Sequence, residues 1–599
     1  MRDVSVPQEE YRRRADRHAA AERADDKLHR GIGWTRLLIL IGIVGLLVAF
    51  FDQDLAVGWV LLVAIALFVG LTVWHQTVEA RLERSRRGVA FHERAQRRLA
   101  GQWRGTGPDG RGLAPQEHEF ASDLGVFGAG SLFELYCRAV TPYGGRTLAD
   151  WFLRPASVPE VLARQDAVRS LIPALDAREE IALAVAHDGR EPSEGALRRW
   201  CSKPALESLL SMQILSASLL AAFCVSLALF LSGVLGGVFP MAAVLAQVVL
   251  IGRVRKSHGH ALHAGDGALA ELGALRTVLH QASAVPSSSD LMAEVRGVLA
   301  EGPRAAAPAL ESLRRRFELL DSGHNLMFVP LALLIGWEIH ILASLERWRT
   351  GFSKDTLGWL QAVGCFEALL SFASHAYEAP DEIFPGIGEG PPSFVAEGLA
   401  HPLLPSADAV GNDVRLDTQT SLLLVSGSNM SGKSTLLRSI GVNAILAQAG
   451  ATVRASALSI TPLRVGASIG TEDSLLDNRS RFQAEIDRLA CLMKIADGDR
   501  PLLFLLDELL SGTNSHDRRI GAEAVLRAFL HRGSVGVATT HDLAITAIAE
   551  APDVAATNVH FEDRFSGDEM HFDYRLQEGV VTRSNALALM RLVGLPVEE

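Results

Sequence analysis

Long stretches of apolar residues constrain this 599-residue chain more than any other feature of its sequence. Residues 37–51 and 55–74 are two apolar runs separated only by Asp52-Gln53-Asp54. Residues 208–252 carry no charged side chain, and a glycine-rich centre at 233–237 divides them into two lengths. A run of about 20 apolar residues can cross the hydrocarbon core of a bilayer. The sequence therefore predicts two transmembrane hairpins, at residues 34–75 and at about 208–252.

Positive charges lie on both sides of each predicted hairpin. The flanking residues are Arg12, Arg13, Arg14, Arg17 and Lys27, then Arg81, Arg84, Arg86 and Arg87, for the first, and Arg198, Arg199 and Lys203, then Arg253, Arg255 and Lys256, for the second. Because Lys and Arg collect on the cytoplasmic side of membrane proteins, both pairs of flanks are predicted to be cytoplasmic. We therefore expect a multi-pass membrane protein whose soluble domains face the cytoplasm. A buried helical hairpin in a soluble protein remains the alternative, more so for the second hairpin.

Composition gives no support for two simple classes of function. The net charge of -11 gives no overall signature of nucleic-acid binding, although a basic face on one domain would not appear in that sum. The five cysteines are scattered without the spacing of a zinc site or a disulfide framework. A reducing, cytosolic setting fits this cysteine usage best.

The remaining sequence divides by pattern. Residues 1–33 read as a charged cytoplasmic helix and residues 76–119 as a basic juxtamembrane helix followed by a linker. Residues 120–378 are mostly amphipathic helix, interrupted by the second hairpin. Residues 379–599 alternate β-rich runs with helical stretches, which predicts an α/β domain with a parallel sheet.

A glycine-bearing loop in this last domain has the pattern of a phosphate site. Gly427, Gly432, Lys433 and Ser434 satisfy G-x-x-x-x-G-K-[ST] between a predicted strand and a predicted helix. In such a loop the backbone N–H groups point at phosphates, Lys433 reaches the β/γ oxygens and the Ser434 hydroxyl can bind Mg²⁺. The sequence predicts that ATP and Mg²⁺ bind here, with Thr435 beside the loop.

Two later strands supply further polar residues. The run "PLLFLLDEL" ends in Asp507, predicted to hold Mg²⁺, and Glu508, predicted to polarise the attacking water. The strand predicted within "GVATTHDLAI" ends at His541, which is placed to sense the γ-phosphate. A capped helix start is the alternative interpretation of the carboxylate pair, and a structural histidine that of His541.

These segments together resemble a known family. The order "SGSNMSGKST", "NRSRFQAEIDRL", "LFLLDELLSGTNSHDR" and "ATTHDL" resembles the ATPase domain of the MutS mismatch-repair family, a branch of the ABC-type ATPases. Asn429-Met430 within the loop is characteristic of that family. Upstream, "SLFELYCRAVTPYGGRTLADWFLRP" resembles the start of the MutS helical core. The resemblance covers about residues 120–597, and it implies a P-loop ATPase domain of the ABC type after a MutS-core-like helical domain.

The resemblance also implies how such a chain acts. Ser480 and Phe482 match the serine-containing signature segment that contacts the γ-phosphate bound by the opposite subunit, which implies a homodimer with composite sites. Thr513 and Asp517 match the loop after the Walker B strand. Glu508 and His541 then serve a slow, Mg²⁺-dependent ATP hydrolysis that drives a conformational change, with Asn429 and Met430 among the nucleotide-binding residues.

The sequence also departs from the family. The linker and the first two spans occupy the place of the mismatch-reading domain, and Phe91-His92-Glu93 matches that domain's Phe-x-Glu wedge by chance. The sequence leaves open whether DNA is bound. Two alternatives remain: an ABC-type transporter, against which stands the missing Ser-Gly-Gly-Gln signature, and a nucleotide-gated membrane scaffold with a protein client.

Overall fold

The computed structural model describes residues 5–50, 55–184, 195–204, 206, 209–302, 304–323, 328–428, 431–470, 481–511, 513–566 and 569–581. The α-helices within these ranges are α1 (Ser5–Phe50), α2 (Leu55–Leu99), α3 (Leu132–Tyr136), α4 (Pro142–Leu153), α5 (Val158–Leu171), α6 (Leu175–Ala184), α7 (Ala196–Cys201), α8 (Leu209–Leu231), α9 (Val238–Ala284), α10 (Asp290–Arg296), α11 (Ala306–Ser322), α12 (Val329–Ile335), α13 (Trp337–Glu378), α14 (Lys433–Ala449), α15 (Arg481–Ala496), α16 (Ser515–His531) and α17 (Leu543–Thr546).

The strands all follow α13. They are β1 (Gly386–Ile387), β2 (Phe394–Leu399), β3 (Asn412–Leu416), β4 (Leu422–Ser426), β5 (Ala457–Ile460), β6 (Arg464–Ser468), β7 (Leu502–Leu506), β8 (Val535–Thr540), β9 (Ala556–Ser566) and β10 (Glu569–Glu578). The expected sequence of a mostly helical amino-terminal part and a carboxyl-terminal α/β part is confirmed.

The chain forms two compact units. The first contains Met1–Trp103 and Leu175–His187, and the second contains Arg104–Ala174 and Asp188–Glu599. Helix α6 therefore belongs to the first unit, although α5 before it and α7 after it belong to the second. The first unit is consequently not a simple amino-terminal extension of the second.

In the first unit, α1 and α2 run antiparallel along most of their length. His18 faces His92 with ring centroids 5.7 Å apart, and His29 stacks on His75 at 4.3 Å. Helix α1 continues without a break through residue 33, the predicted end of the charged helix. Helix α6 joins the pair through ion pairs, including one between Arg84 and Glu180. The result is a three-helix bundle at the ends of α1 and α2 farthest from residues 51–54.

Near residues 51–54, both α1 and α2 expose apolar side chains. Trp34, Val48, Trp59 and Val63 are 67–75% exposed, and many other apolar side chains of the two runs are 40–67% exposed. Continuous apolar surface of this kind is unusual on a soluble protein. It extends over the two runs that the sequence analysis assigned to the first hairpin.

Five described helical segments are long and apolar enough to cross a membrane. In α1, α2, α8 and α9 at most 28% of the apolar window is buried inside the protein, whereas 78% of the window in α13 is buried. Packing in the helical core therefore explains the hydropathy of α13. For the other four helices, the protein itself provides no such cover.

The six-stranded sheet of the second unit has the order β10-β9-β4-β8-β7-β6. All neighbouring pairs are parallel except β9 with β10. Strands β4 and β7 are buried at every residue, as expected for the centre of a parallel sheet covered on both faces. Phe504 in β7 stacks on Phe529 in α16 at 5.0 Å within the sheet's core. A smaller sheet, β1-β5-β2-β3, lies in the same unit.

A buried carboxylate links α13 to the start of α4. Thr141 caps α4, with Pro142 in the first turn. Glu367 accepts hydrogen bonds from the backbone N–H groups of Val140 and Thr141, at 2.8 and 3.1 Å, and from the Thr141 hydroxyl. Burial raises the pKa of the Glu367 carboxyl from 4.5 to about 7, and these hydrogen bonds act in the opposite direction. The protonated form is therefore favoured by folding.

A pH dependence follows for this unit. Because the folded-state pKa of Glu367 lies above 4.5, its contribution to stability is complete below pH 4.5 and is lost as the pH rises through about 7. We expect this one group to lower the free energy of unfolding by up to about 3 kcal/mol over that range. Glu367→Gln cannot ionise, so the thermal unfolding temperature of the variant in detergent should fall less between pH 4.5 and 7. Equal slopes for variant and wild type would contradict the assignment.

Candidate functional site

The predicted functional residues follow three neighbouring strands of the six-stranded sheet. Strand β8 pairs in parallel with β4 on one side and β7 on the other, so their carboxyl ends meet at one edge. The phosphate-loop segment follows β4, the carboxylates follow β7 and His541 follows β8. Ligands of open α/β sheets bind at this edge.

Two glycines give the loop after β4 its conformation. Gly427 has φ 149° and Gly432 has φ 105°, values that residues with a Cβ rarely adopt. A Cβ at position 427 would also lie 3.0 Å from the Ser431 hydroxyl. Gly432 is the N-cap of α14, so the positive end of that helix lies at the loop. Asn429 and Met430 lie outside the described residues.

Lys433 is buried beneath the loop. It is 5% exposed, and its Nζ donates to the carbonyl oxygens of Gly427 and Ser428, each at 2.8 Å. These bonds place an ammonium group, which has three donors, at the centre of the loop. Ser434 and Thr435 follow on the first turn of α14, and both line a cavity in front of this loop.

Asp507 connects the three strand ends. Its Oδ2 accepts from the Ser434 hydroxyl at 2.5 Å and its Oδ1 from the Thr539 hydroxyl at 2.5 Å. Its backbone N–H donates to the carbonyl of Ser468, at the end of β6. Mg²⁺ prefers hard oxygen donors and usually completes its octahedron with water and phosphate oxygens. The adjacent hydroxyl and carboxylate oxygens of Ser434 and Asp507 fit that requirement.

The chain after Asp507 has an unusual backbone. Glu508 and Leu510 have φ 49° and 54°, in the left-handed region. Side-chain acceptors hold this turn: the Glu508 N–H donates to Thr539 Oγ1 at 2.9 Å, and the Leu510 N–H donates to Glu485 Oε1 at 2.5 Å. Each such residue costs about 1–3 kcal/mol, and such residues are concentrated at functional sites. The turn directs the Glu508 side chain into the cavity.

His541 lies beside Glu508 and an arginine. Its Nδ1 is 3.9 Å from Glu508 Oε1, and its Nε2 is 3.3 Å from a guanidinium nitrogen of Arg518. Arg518 also donates to the backbone carbonyls of Leu510, at 3.1 Å, and of Ser511 and Thr513. The arginine thereby fixes the turn that carries Glu508. Asn514 instead caps α16, its side-chain oxygen accepting from the Asp517 N–H at 2.9 Å.

A cavity of about 530 Å³ opens in front of the loop. Its polar lining includes the loop, the first turn of α14 and Glu508, together with His401, Asp408 and Asn412. Its apolar lining is supplied by Leu399, Leu404, Val410, Leu436, Phe561 and Tyr574. The volume lies within the usual range for small-ligand pockets.

Tyr574 reaches the loop because β10 contains an irregularity. The pairing of β9 with β10 shifts between Phe572 and Leu576, and Tyr574 within the shift has φ 53°. The Asn412 side chain holds the backbone in this shape, donating to Tyr574 O at 3.0 Å and accepting from the Leu576 N–H at 2.7 Å. A Cβ at Gly432 would lie 3.2 Å from the Tyr574 ring. The Tyr574 ring therefore lies directly against Gly432.

His401 enters the cavity as a neutral side chain. Burial, with added repulsion from Arg438, Arg454 and Arg104, lowers its pKa from 6.5 to about 4. Its Nδ1 accepts from the Leu403 N–H at 3.1 Å. His401 therefore adds no charge to the cavity lining near neutral pH.

The structure thus brings together Gly427, Gly432, Lys433, Ser434, Thr435, Asp507, Glu508 and His541. Ser480 lies outside the described residues, while Phe482 packs against the core of the six-stranded sheet. Sequence reasoning missed four contributors. Thr539 and Arg518 stand inside the motifs "ATTHDL" and "SGTNSHDR", where their polarity was a usable signal. Asn412 and Tyr574 come from distant strands, and no local pattern marks them.

Fold and site together define an α/β domain with a ligand cavity at the carboxyl edge of parallel strands. Residues 423–598 match the family model of MutS domain V. The chain is 40% identical over 199 residues to the protein named endonuclease MutS2 of Thermus thermophilus, a match covering 33% of this chain and 26% of that protein. The carboxyl-terminal part of this chain is therefore a MutS domain V.

Other relatives agree. The DNA mismatch repair protein MutS 2 of Halobacterium salinarum is 30% identical over 308 residues, 50% of this chain and 34% of the relative. The DNA mismatch repair protein MutS of Methanosarcina acetivorans is 31% identical over 285 residues, 46% of this chain and 31% of the relative. Both matches are longer than the domain V segment. The chain nevertheless spans only about a quarter to a third of the length of these relatives.

Proposed function

We propose that this protein is a membrane-anchored MutS-like ATPase, in which residues 379–599 form a P-loop domain of the ABC type. The observation that carries the proposal is the cavity lined by Lys433, Ser434 and Glu508, with Asp507 accepting a hydrogen bond from Ser434. This arrangement offers a cation, a helix N-terminus and hard oxygen ligands to a Mg²⁺-bound triphosphate. The apolar part of the cavity lining suits the base of a nucleotide.

Each residue then has a defined task in ATP hydrolysis. Lys433 holds the loop carbonyls through its ammonium group and would also reach the β/γ-phosphate oxygens of bound ATP. Ser434 and Asp507 would hold Mg²⁺, which neutralises charge on the phosphates when bound. Glu508 accepts a hydrogen bond from the attacking water and orients it toward the γ-phosphate. His541 lies next to Glu508, and Arg518 keeps both in position.

We further propose that ATP closes two such domains in a homodimer. The family resemblance of the segment that contains Ser480 supports this arrangement, since a signature segment of this kind completes the partner's site. The membrane spans would then follow the closure through the helical part of each subunit. An ABC-type transporter is not favoured, because the named relatives are MutS proteins.

The nucleotide site is tested by two substitutions. Lys433→Ala should abolish ATP binding, because the loop loses the cation at its centre. Glu508→Gln should bind ATP normally but lower turnover by about 100-fold or more, since the water loses its acceptor. Binding of a fluorescent ATP analogue and phosphate release by the detergent-solubilised protein measure the two effects. Lys494→Ala and Glu550→Gln, at exposed positions of the same domain, are the controls. Normal hydrolysis by both site variants would remove the assignment.

The membrane anchor is proposed from the exposed apolar helices and their positive flanks. In α8 and α9 the turn between the helices includes the exposed Ser232, while Cys491 is exposed on α15. In a Cys224→Ala background, Ser232→Cys should react with an impermeant maleimide in intact cells, and Cys491 only after lysis. Reaction of both positions only after lysis, with release of the protein by alkaline carbonate, would contradict two-hairpin anchoring.

We propose DNA as the client of the ATPase cycle, on the strength of relatives named DNA mismatch repair proteins. The basic stretch of α2 is a weak candidate for the contact, because Arg84, Arg86 and Arg87 are already paired with Glu180, Glu22 and Glu83.

The DNA proposal is tested with detergent-solubilised protein and homoduplex, mismatched and branched DNA, with and without ATP. We expect ATP-dependent binding that weakens as salt rises, with a slope that counts the phosphates contacted. A preference for one DNA structure would identify the substrate. Absence of binding at low salt would contradict the proposal and favour the nucleotide-gated scaffold with a protein client.

A further inference from the structure

The three-helix bundle of the first unit contains a cluster of potential metal ligands. His18 on α1, His92 on α2 and Glu179 on α6 each offer one ligand atom, and these atoms all lie within 4.8 Å of one another. Among the residues that the structure describes, this is the one group of three His, Cys, Asp or Glu side chains with that spacing. None of the three takes part in the nucleotide site.

The distances suit a first-row divalent metal. His92 Nε2 is 3.3 Å from Glu179 Oε2, and His18 Nε2 donates to Glu179 Oε1 at 2.6 Å. Two ligands of a tetrahedral Zn²⁺, each at about 2.0–2.1 Å, are separated by about 3.3 Å. His92 and Glu179 already have that separation. His18 needs only to turn its Nε2 from the carboxylate to the metal.

The Nδ1 atom of His92 has no hydrogen-bond partner within the described part of the chain, and the nearest polar contact of its Nε2 is the Glu179 carboxylate at 3.3 Å. The ring is fully buried. A buried imidazole with so few partners calls for an explanation. A metal bound at Nε2 supplies one.

The surroundings are built to seat these side chains. At Gly88, one helical turn before His92, an added Cβ would lie 2.4 Å from the His18 ring, so glycine alone leaves room for that ring. Arg14 donates to Glu179 Oε2 at 2.7 Å and is also shared with Glu10 and Asp176. Because Arg14 is shared among three carboxylates, its one positive charge does not fully neutralise Glu179. Carboxylates that ligate metals are themselves hydrogen-bonded, as Glu179 is by Arg14.

We propose that His18, His92 and Glu179 bind a divalent transition metal, Zn²⁺ in particular, and that the metal fastens α6 to α1 and α2. Imidazole and carboxylate ligands suit Zn²⁺ and its neighbours in the first row, and three protein ligands leave a fourth position for water. The metal would thus link the membrane-anchor helices to the segment that connects α5 with α7. This inference is independent of the ATPase assignment.

The test uses the full-length protein in detergent, stripped with a chelator and kept free of nucleotide. Zn²⁺ titration against a competing indicator, with metal analysis after gel filtration, should give one Zn²⁺ per chain. His92→Ala and Glu179→Gln should weaken the affinity by about 100-fold or more, since each removes a ligand. Glu179→Gln preserves the side chain's shape, so it remains informative if His92→Ala does not fold.

The matched control is His29→Ala combined with His75→Ala. This pair stacks between the same two helices but belongs to no such ligand group. The control should keep wild-type affinity, and bound Co²⁺ should give a visible ligand-field spectrum in wild type and control but not in Glu179→Gln. If the wild type retains no Zn²⁺, or if all variants bind it equally, the cluster is only an ion-pair network and the proposal is overturned.

Discussion

The two hydrogen bonds that Asp507 accepts organise the functional half of this protein. Ser434 stands on the helix after β4 and Thr539 on β8, so one carboxylate at the end of β7 ties together three separate segments. The Thr539 hydroxyl oxygen in turn accepts a hydrogen bond from the Glu508 N–H. This bond fixes the left-handed turn after Asp507. The loop after β4, the carboxylate pair and His541 therefore share one frame. A small movement of β8 or α14 would alter all of them together.

Much of this frame was accessible from sequence, for a physical reason. In β4 and β7 the chain must be apolar throughout, because parallel strands are covered on both faces, and the functional residues follow immediately where the strands end. Local pattern and local structure coincide there. The same holds for Gly427 and Gly432, whose φ values demand glycine. The helical character of the part before residue 379 was likewise readable from its periodicity.

What could not be predicted depends on contacts between distant segments. The Asn412 side chain shapes the backbone around Tyr574, 162 residues away, and thereby sets a tyrosine ring on the loop. Nothing in either segment alone indicates this pairing. The placement of α6 is a similar case, since its sequence resembles that of its helical neighbours while its partners lie on α1 and α2. His92 was read only as part of a chance Phe-x-Glu match, although it occupies the centre of a buried cluster.

The position of α6 bears on how such an architecture arises and is inherited. The chain crosses between the units after residue 103, again near residue 174 and a third time near residue 187, so the boundary between them is not a single point in the gene. Fusion of a ready-made hairpin at the amino end would supply α1 and α2 but leave their bundle without its third helix. The first unit is therefore completed by a helix that lies between α5 and α7 in the chain. A chain without α6 would keep α1 and α2 but lose the ion pairs of Arg14 with Glu179 and of Arg84 with Glu180.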